Sequence, residues 1–126
     1  MRLTAQELFD LLNEQDECLW IEAKGGSESS HSVMETVCAY CNEPGLGGGY
    51  ILAGAALDNN SPIPKYKIVP VTDPDKFQRD FSTQYAGMFN IPVRPELTVE
   101  NINGGTVIKV WIDELPPKQK PLFFRT

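Results

Sequence analysis

Residues 42–58, NEPGLGGGYILAGAALD, decide how this chain folds. They pass from the end of a predicted helix through three consecutive glycines, Gly47, Gly48 and Gly49, into the apolar run 50–57. Glycine adopts backbone angles that other residues avoid, so this cluster suits a tight passage between two elements. A nearly continuous apolar run predicts a strand that is buried on both faces. We therefore expect residues 50–57 to form the central strand of a sheet.

The flanking segments predict three helices and further strands. Thr4 and Glu7 form the sequence pattern of a capping box, and Asp73 followed by Pro74 marks another helix start. Asn103-Gly104 between two apolar runs is a strong hairpin signal. The predicted order is helix 4–15, strand 17–24, helix 32–42, strand 50–57, strand 66–71, helix 74–89 and strands 97–100 and 106–112, with 122–125 as a candidate edge strand. This order predicts an α+β fold, with a mixed central sheet of about five to six strands and three helices.

Length and charge limit the classes of function. The 126 residues suit one compact domain without repeats, and no apolar run approaches the ~20 residues of a membrane span. The first residues carry no export signal, so we expect a cytoplasmic protein. The net charge of −6 counts against a general electrostatic attraction to nucleic acid, although binding depends on local charge. Because the chain stops just after the apolar triplet 122–124, we expect an N-terminal piece of a longer protein.

Two patterns that often carry chemistry have structural explanations here. Cys38-x-x-Cys41 has the spacing of a redox or zinc half-site, but it falls on a helical pattern and Cys18 is the only other cysteine. We predict that these cysteines are buried helix residues. The glycine cluster lacks the Gly-Lys-Ser/Thr of a phosphate-binding loop and precedes a strand, so we do not predict nucleotide binding there.

Several motifs, taken in order, resemble the Schlafen AlbA-like domain family, which is described as DNA-binding by prediction. They are Glu17-x-x-x-x-Glu22-x-Lys24, a helix ending in Ala39-Tyr40-Cys41-Asn42, the run from Gly48 to Gly54, Asp58, and a proline-rich turn at 116–117 leading to Arg125. The resemblance spans nearly the whole chain. Ala23 departs from the usual phenylalanine, and residues 43–46 read as an insertion before the glycines.

For bacterial members, the resemblance implies a predicted transcriptional regulator in which this domain precedes an ATPase-like or winged-helix region. The expected partner is then DNA or RNA, held by local positive charge. A structural loop would comprise Asn42, Gly47, Gly48 and Gly49. The candidate nucleic-acid-binding residues are Lys24, Lys65, Lys67, Lys118, Lys120 and Arg125.

For animal relatives, the resemblance implies metal-dependent RNA cleavage by three carboxylates, at positions that match Glu17, Glu22 and Asp58. Mg²⁺ and Mn²⁺ prefer clustered oxygen ligands, which would activate water against a phosphate. The alternative interpretation is a surface Glu17, an ordinary Glu22–Lys24 charge pair and a turn-capping Asp58. A further alternative is a non-catalytic interaction or dimerisation module that forms a homo-oligomer through an exposed sheet edge near Pro70 or the C-terminal tail.

Overall fold

A computed structural model describes residues 2–26, 30–63 and 65–124. Three α-helices, six strands and one 3₁₀ turn follow one another along these residues. The helices are α1 (Ala5–Gln15), α2 (Ser30–Asn42) and α3 (Pro74–Met88). The strands are β1 (Ile21–Lys24), β2 (Gly49–Ala53), β3 (Ala55–Leu57), β4 (Tyr66–Ile68), β5 (Glu96–Ile102) and β6 (Gly105–Ile112), and the 3₁₀ turn is Pro117–Gln119.

The main sheet has the strand order β1-β2-β6-β5. β1 and β2 run parallel, whereas β2 with β6 and β6 with β5 run antiparallel, so the sheet is mixed. All five residues of β2 are buried, as expected for a central strand. The predicted α+β class with three helices is confirmed. The six strands are divided between this sheet and a separate β3–β4 pair.

The predicted strand 50–57 is interrupted at Gly54. This residue has φ +115°, which redirects the chain after β2. β3 then pairs with β4 instead of continuing the main sheet. A Cβ at Gly54 would lie 2.8 Å from Cγ1 of Val107, so β6 passes too close for any larger residue. The break therefore needs glycine for its backbone angle and for its packing.

The first strand is shorter than predicted, because 17–20 form a turn before β1. Asp16 ends α1 with φ +66°, and its side chain accepts a hydrogen bond from the N–H of Glu17 at 2.7 Å. The carboxylate of Glu17 then accepts one from the N–H of Ala23 at 2.8 Å. These contacts position Glu17 ahead of the strand instead of within it.

Helices cover both faces of the main sheet. Residues of α1 pack with Tyr50 and Leu52 on one face, and residues of α2 and α3 pack with Ile51 and Ala53 on the other. Side chains of β2 therefore alternate between two apolar clusters. The predicted caps are present, since Thr4 completes its capping box and Asp73 accepts from the N–H of Lys76. Cys41 is fully buried, and burial raises the pKa of its thiol to about 12.

Up to Phe124, where the described residues end, the C-terminal segment adds an isolated bridge between Phe124 and Phe89 in place of the expected edge strand. Side-chain amides form hydrogen bonds to this segment in place of the backbone hydrogen bonds of a paired strand. The amide of Asn42 exchanges two hydrogen bonds with the backbone of Leu122, and Asn90 bonds the backbone of Phe123 and Pro121. Two asparagines thus attach the segment to the ends of α2 and α3.

Candidate nucleic-acid interface

Two of the three candidate metal ligands line one cleft between β1 and α2. The cleft has a volume of about 560 Å³, and Glu17, Glu22 and Lys24 lie along it with Glu35 and Thr36. Parallel pairing with β2 leaves the side chain of Glu22 directed toward α2, where Thr36 donates a hydrogen bond to it. The Nζ of Lys24 lies 3.8 Å from the other oxygen of Glu22. Carboxylates therefore outnumber cations in this cleft.

Asp58 does not line this cleft. It follows β3, where its carboxylate accepts a hydrogen bond from the N–H of Asn60 at 3.0 Å and lies 3.9 Å from Nζ of Lys67. Among the described residues, no three His, Cys, Asp or Glu side chains come together as a group that could hold a metal ion. The trio therefore does not fit a three-carboxylate Mg²⁺ or Mn²⁺ site in this arrangement.

The basic candidates divide according to their partners. Lys24, Lys67 and Lys120 are engaged with Glu22, Asp58 and Glu114, respectively. Lys24 is also held by the hydroxyl of Ser32 at 2.9 Å. Lys65 and Lys118 are exposed and form no salt bridge with any described residue. Arg125 lies outside the described residues.

The glycine loop is organised around Glu114, a residue that sequence analysis did not single out. One carboxylate oxygen accepts a hydrogen bond from the N–H of Gly47 at 2.7 Å, and the other bonds Gly45 and Lys120. The hydrogen bond from Lys120, with those from the loop, lowers the pKa of Glu114 to about 2. The loop thus directs these backbone donors at a carboxylate of the same chain.

Gly48 and Gly49 complete the passage from this loop into β2. Gly48 has φ +124°, and a Cβ there would lie 2.5 Å from the carbonyl oxygen of Ile112. Gly49 begins β2 and lies against the ring of Tyr40. Asn42, at the end of α2, bonds the C-terminal segment instead of a ligand. The contacts of Asn42, Gly48 and Gly49 are therefore made within this chain.

Thr36, Asp16, Tyr66 and Glu114 were not predicted as contact residues, because their partners are distant in the chain. Thr36 and Glu22 are 14 positions apart, Asp16 and Tyr66 are 50 apart, and Gly47 and Glu114 are 67 apart. No local spacing rule links such pairs. The only available signal was chemical, because a glycine loop with free N–H groups needs an acceptor.

A family model described as "Schlafen, AlbA_2" matches residues 17–125. The chain belongs to the Schlafen AlbA_2 family. The match includes the carboxylate cleft, the glycine loop and the C-terminal segment, so the features described above belong to the Schlafen AlbA_2 domain itself. A comparison with curated protein sequences found no match.

Two solved structures resemble this Schlafen AlbA_2 domain. The first is the solution structure of the N-terminal domain of a protein from Nitrosomonas europaea, named "Putative ATP-dependent DNA Helicase RecG-related Protein". It has a TM-score of 0.89 and 43% identity, over 100% of this chain and 82% of that chain. The second, the DIP2311 protein from Corynebacterium diphtheriae, has a TM-score of 0.52 and 14% identity over 81% of this chain and 18% of that chain. The second likeness shows the fold alone.

Proposed function

We propose that this chain is a nucleic-acid-binding domain that binds DNA and belongs to a transcriptional regulator in the bacterial cytoplasm. The main support is membership of the Schlafen AlbA_2 family together with 43% identity to a domain of a protein named for a DNA helicase. None of the described helices is long and apolar enough to cross a membrane.

The contacts distinguish the basic residues that could bind phosphate from those that are already paired. Lys65, Arg79, Arg94 and Lys118 are exposed and have no salt-bridge partner among the described residues. When such a cation binds a phosphate, it displaces counterions that are condensed on the nucleic acid. A lysine that is already paired with a carboxylate must first break that salt bridge. Lys65 precedes β4, and Lys118 lies within the 3₁₀ turn. We assign phosphate contact to Lys65 and Lys118.

The acidic cleft is not expected to bind nucleic acid. Glu17, Glu22 and Glu35 outnumber Lys24 there, so the cleft repels a phosphate backbone. Nucleic acid would therefore lie away from it, on the surfaces that carry Lys65 and Lys118. With a net charge of −6, we expect weak binding that decreases as the salt concentration rises.

Fluorescence anisotropy with labelled duplex DNA and single-stranded RNA, at several salt concentrations, tests the proposal. The double variant Lys65→Gln/Lys118→Gln should weaken binding and reduce the slope of log K against log salt by about 2, since each lost phosphate contact removes about 1. Lys76→Gln is the matched control, because Lys76 is exposed but bonds Asp80 at 2.7 Å. Equal slopes in the double variant and the control would contradict the assignment of Lys65 and Lys118.

The metal-dependent endoribonuclease hypothesis stays a prediction and needs its own measurement. Glu17 and Glu22 share a cleft, which is the one contact pattern that favours it. Structured RNA is incubated with Mg²⁺ or Mn²⁺, with and without Glu22→Ala. Metal-dependent fragments that disappear in the variant would establish cleavage and replace simple binding as the function. Intact RNA in every lane would remove the nuclease hypothesis for this chain.

A further inference from the structure

The outer strand β5 leaves one edge of the main sheet open. It pairs with β6 alone, because the strand order ends there. The strand is seven residues long, Glu96–Ile102. In the described part of the chain, no segment besides β6 forms a backbone hydrogen bond with it. An open edge of this length is a template for another strand.

The pairing of β6 determines which groups of β5 face outward. Thr106 of β6 accepts a hydrogen bond from the N–H of Val71, on the β2 side of the sheet. Since hydrogen bonds alternate along a strand, Val107 and Lys109 bond the β5 side. Their partners are Glu100 and Thr98. The outward N–H and C=O groups therefore belong to Leu97, Val99 and Asn101.

These outward residues lack the features that protect natural edges. None of Leu97, Val99 and Asn101 is charged or proline, and the exposed fraction of Val99 is 43%. The one charge between them, Glu100, points to the other face. There its carboxylate accepts from the N–H of Ala5 at 3.0 Å and lies 3.3 Å from Nζ of Lys109.

We propose that a second copy of this chain pairs with β5 in antiparallel register about a two-fold axis at Val99. Val99 then lies opposite Val99 of the second copy, and Leu97 lies opposite Asn101 of the second copy. All of these residues have outward N–H and C=O groups, so each pair exchanges both hydrogen bonds. The two main sheets become one continuous sheet.

Charge selects this register over its neighbours. With Val99 on the axis, Glu100 lies opposite Thr98 and Glu96 lies opposite Ile102. Shifting the pairing by two residues in one direction places Glu96 opposite Glu100, and shifting it in the other direction places Glu100 opposite itself. Like charges directly opposite each other destabilise a strand pair. Only the register centred on Val99 combines full pairing with no such contact.

An apolar cleft adjoins the paired edge on the same face. Leu97 packs against the cluster under α2 and α3, so Val99 and Asn101 also face that side. Leu97 lines a cleft of about 480 Å³ with Phe81, Pro92, Val93 and Pro95. Pairing would bring the side chain of Asn101 of the second copy beside Leu97 and reduce the exposed apolar surface around the cleft.

The test measures molar mass against concentration by sedimentation, with amide hydrogen exchange followed by NMR. The natural chain should dimerise as concentration rises, and exchange of the amides of Leu97, Val99 and Asn101 should slow in parallel. Val99→Lys brings two ammonium groups together at the axis and should raise the dimer dissociation constant by about tenfold or more. Leu57→Lys is the matched control, because Leu57 is 45% exposed on the separate β3–β4 pair.

Each other outcome overturns the proposal. A mass that stays monomeric at millimolar concentration removes the dimer. If a dimer forms but the exchange rates of those three amides do not change, the dimer uses another surface. The same conclusion follows if Leu57→Lys weakens the dimer as much as Val99→Lys does. Circular dichroism of both variants checks that they are folded, and Val99→Thr, which keeps the β-branched shape without charge, should still dimerise.

Discussion

Asn42 and Leu122 are joined by two hydrogen bonds across 80 positions of sequence. Leu122 N–H donates to Oδ1 of Asn42 at 2.6 Å, and Nδ2 of Asn42 donates to the carbonyl oxygen of Leu122 at 2.8 Å. The side-chain amide thus imitates a neighbouring strand. It satisfies backbone groups beside a buried side chain in a segment that has no ladder of its own.

We expect Asn42→Ala to lower the free energy of unfolding by about 2 kcal/mol, because partly buried backbone groups of Leu122 lose their partner. Urea denaturation measures the change. Asn60→Ala is the control, since Asn60 lies exposed in a turn where its backbone, not its side chain, makes the bond to Asp58. The control should change stability by no more than about 0.5 kcal/mol. Equal losses in both variants would contradict the role of Asn42.

Glu114 should make the free energy of unfolding depend on pH between about 4.5 and 2. Its pKa is lowered from 4.5 to about 2 in the folded chain, mainly by the hydrogen bond from Lys120. The carboxylate therefore stabilises the fold above pH 4.5, and this contribution is lost as pH falls through the folded pKa of about 2. In Glu114→Gln, the free energy of unfolding should fall less steeply between pH 4.5 and 2.

Denaturant titrations at several pH values in that range measure the slope. Glu43→Gln is the control, because Glu43 is exposed and its carboxylate bonds no described residue. If Glu114→Gln leaves the dependence of the free energy of unfolding on pH unchanged, the contacts of Glu114 with the glycine loop do not contribute to stability. Asp16, whose pKa is also lowered, accounts for part of the slope that remains.

Gly54→Ala should destabilise the fold more than Gly45→Ala. Both glycines have positive φ, +115° and +78°, so alanine is strained at either site by about 1–2 kcal/mol. Only at Gly54 does the new methyl group also meet a neighbour, Val107 at 2.8 Å, which adds an overpacking cost of about 1–3 kcal/mol. Thermal and urea unfolding of the two variants measure the difference. Losses of equal size would show that β6 moves aside easily.

Tyr66→Phe should raise the pKa of Asp16. The hydroxyl of Tyr66 donates to this carboxylate and is the largest cause of its lowered pKa. Without that donor, the carboxylate loses stabilisation of its charged form, so its pKa moves toward the ordinary value. An NMR titration of side-chain carboxyl carbons follows the change. Tyr50→Phe is the control, because the Tyr50 hydroxyl bonds the N–H of Leu3 instead, and it should leave Asp16 unchanged.

Features that depend on neighbours in sequence were predicted well. The capping box at Thr4, the cap at Asp73 and the Asn103-Gly104 turn are all present. In that turn, Asn103 and Gly104 have φ of +49° and +83°, as a two-residue hairpin requires. Each of these features is satisfied within a few residues, so no distant contact is needed to form it.

The candidate site could be predicted only in part. The family resemblance implied Glu17 and Glu22, the lysines were chosen as basic residues, and the cleft does bring Glu17 and Glu22 together. The alternative interpretation named the Glu22–Lys24 pair and the turn-capping Asp58, and both contacts are present. The sequence could not decide between that interpretation and the metal site, and it did not indicate that Glu114 holds Lys120. Those outcomes depend on how β3 leaves the sheet at Gly54 and on where the C-terminal segment attaches.

The sequence by itself determined the α+β class, the family, the caps, the hairpin and the burial of β2, because periodicity and local turn chemistry carry those features. The tertiary structure alone decided the split of six strands between two sheets and the carboxylate that holds the glycine loop. It also decided which lysines have no salt bridge to any described residue, and it left the edge at β5 open. Each of these features depends on contacts between residues that are far apart in the sequence. A pattern within a short stretch of sequence does not predict contacts between residues so far apart.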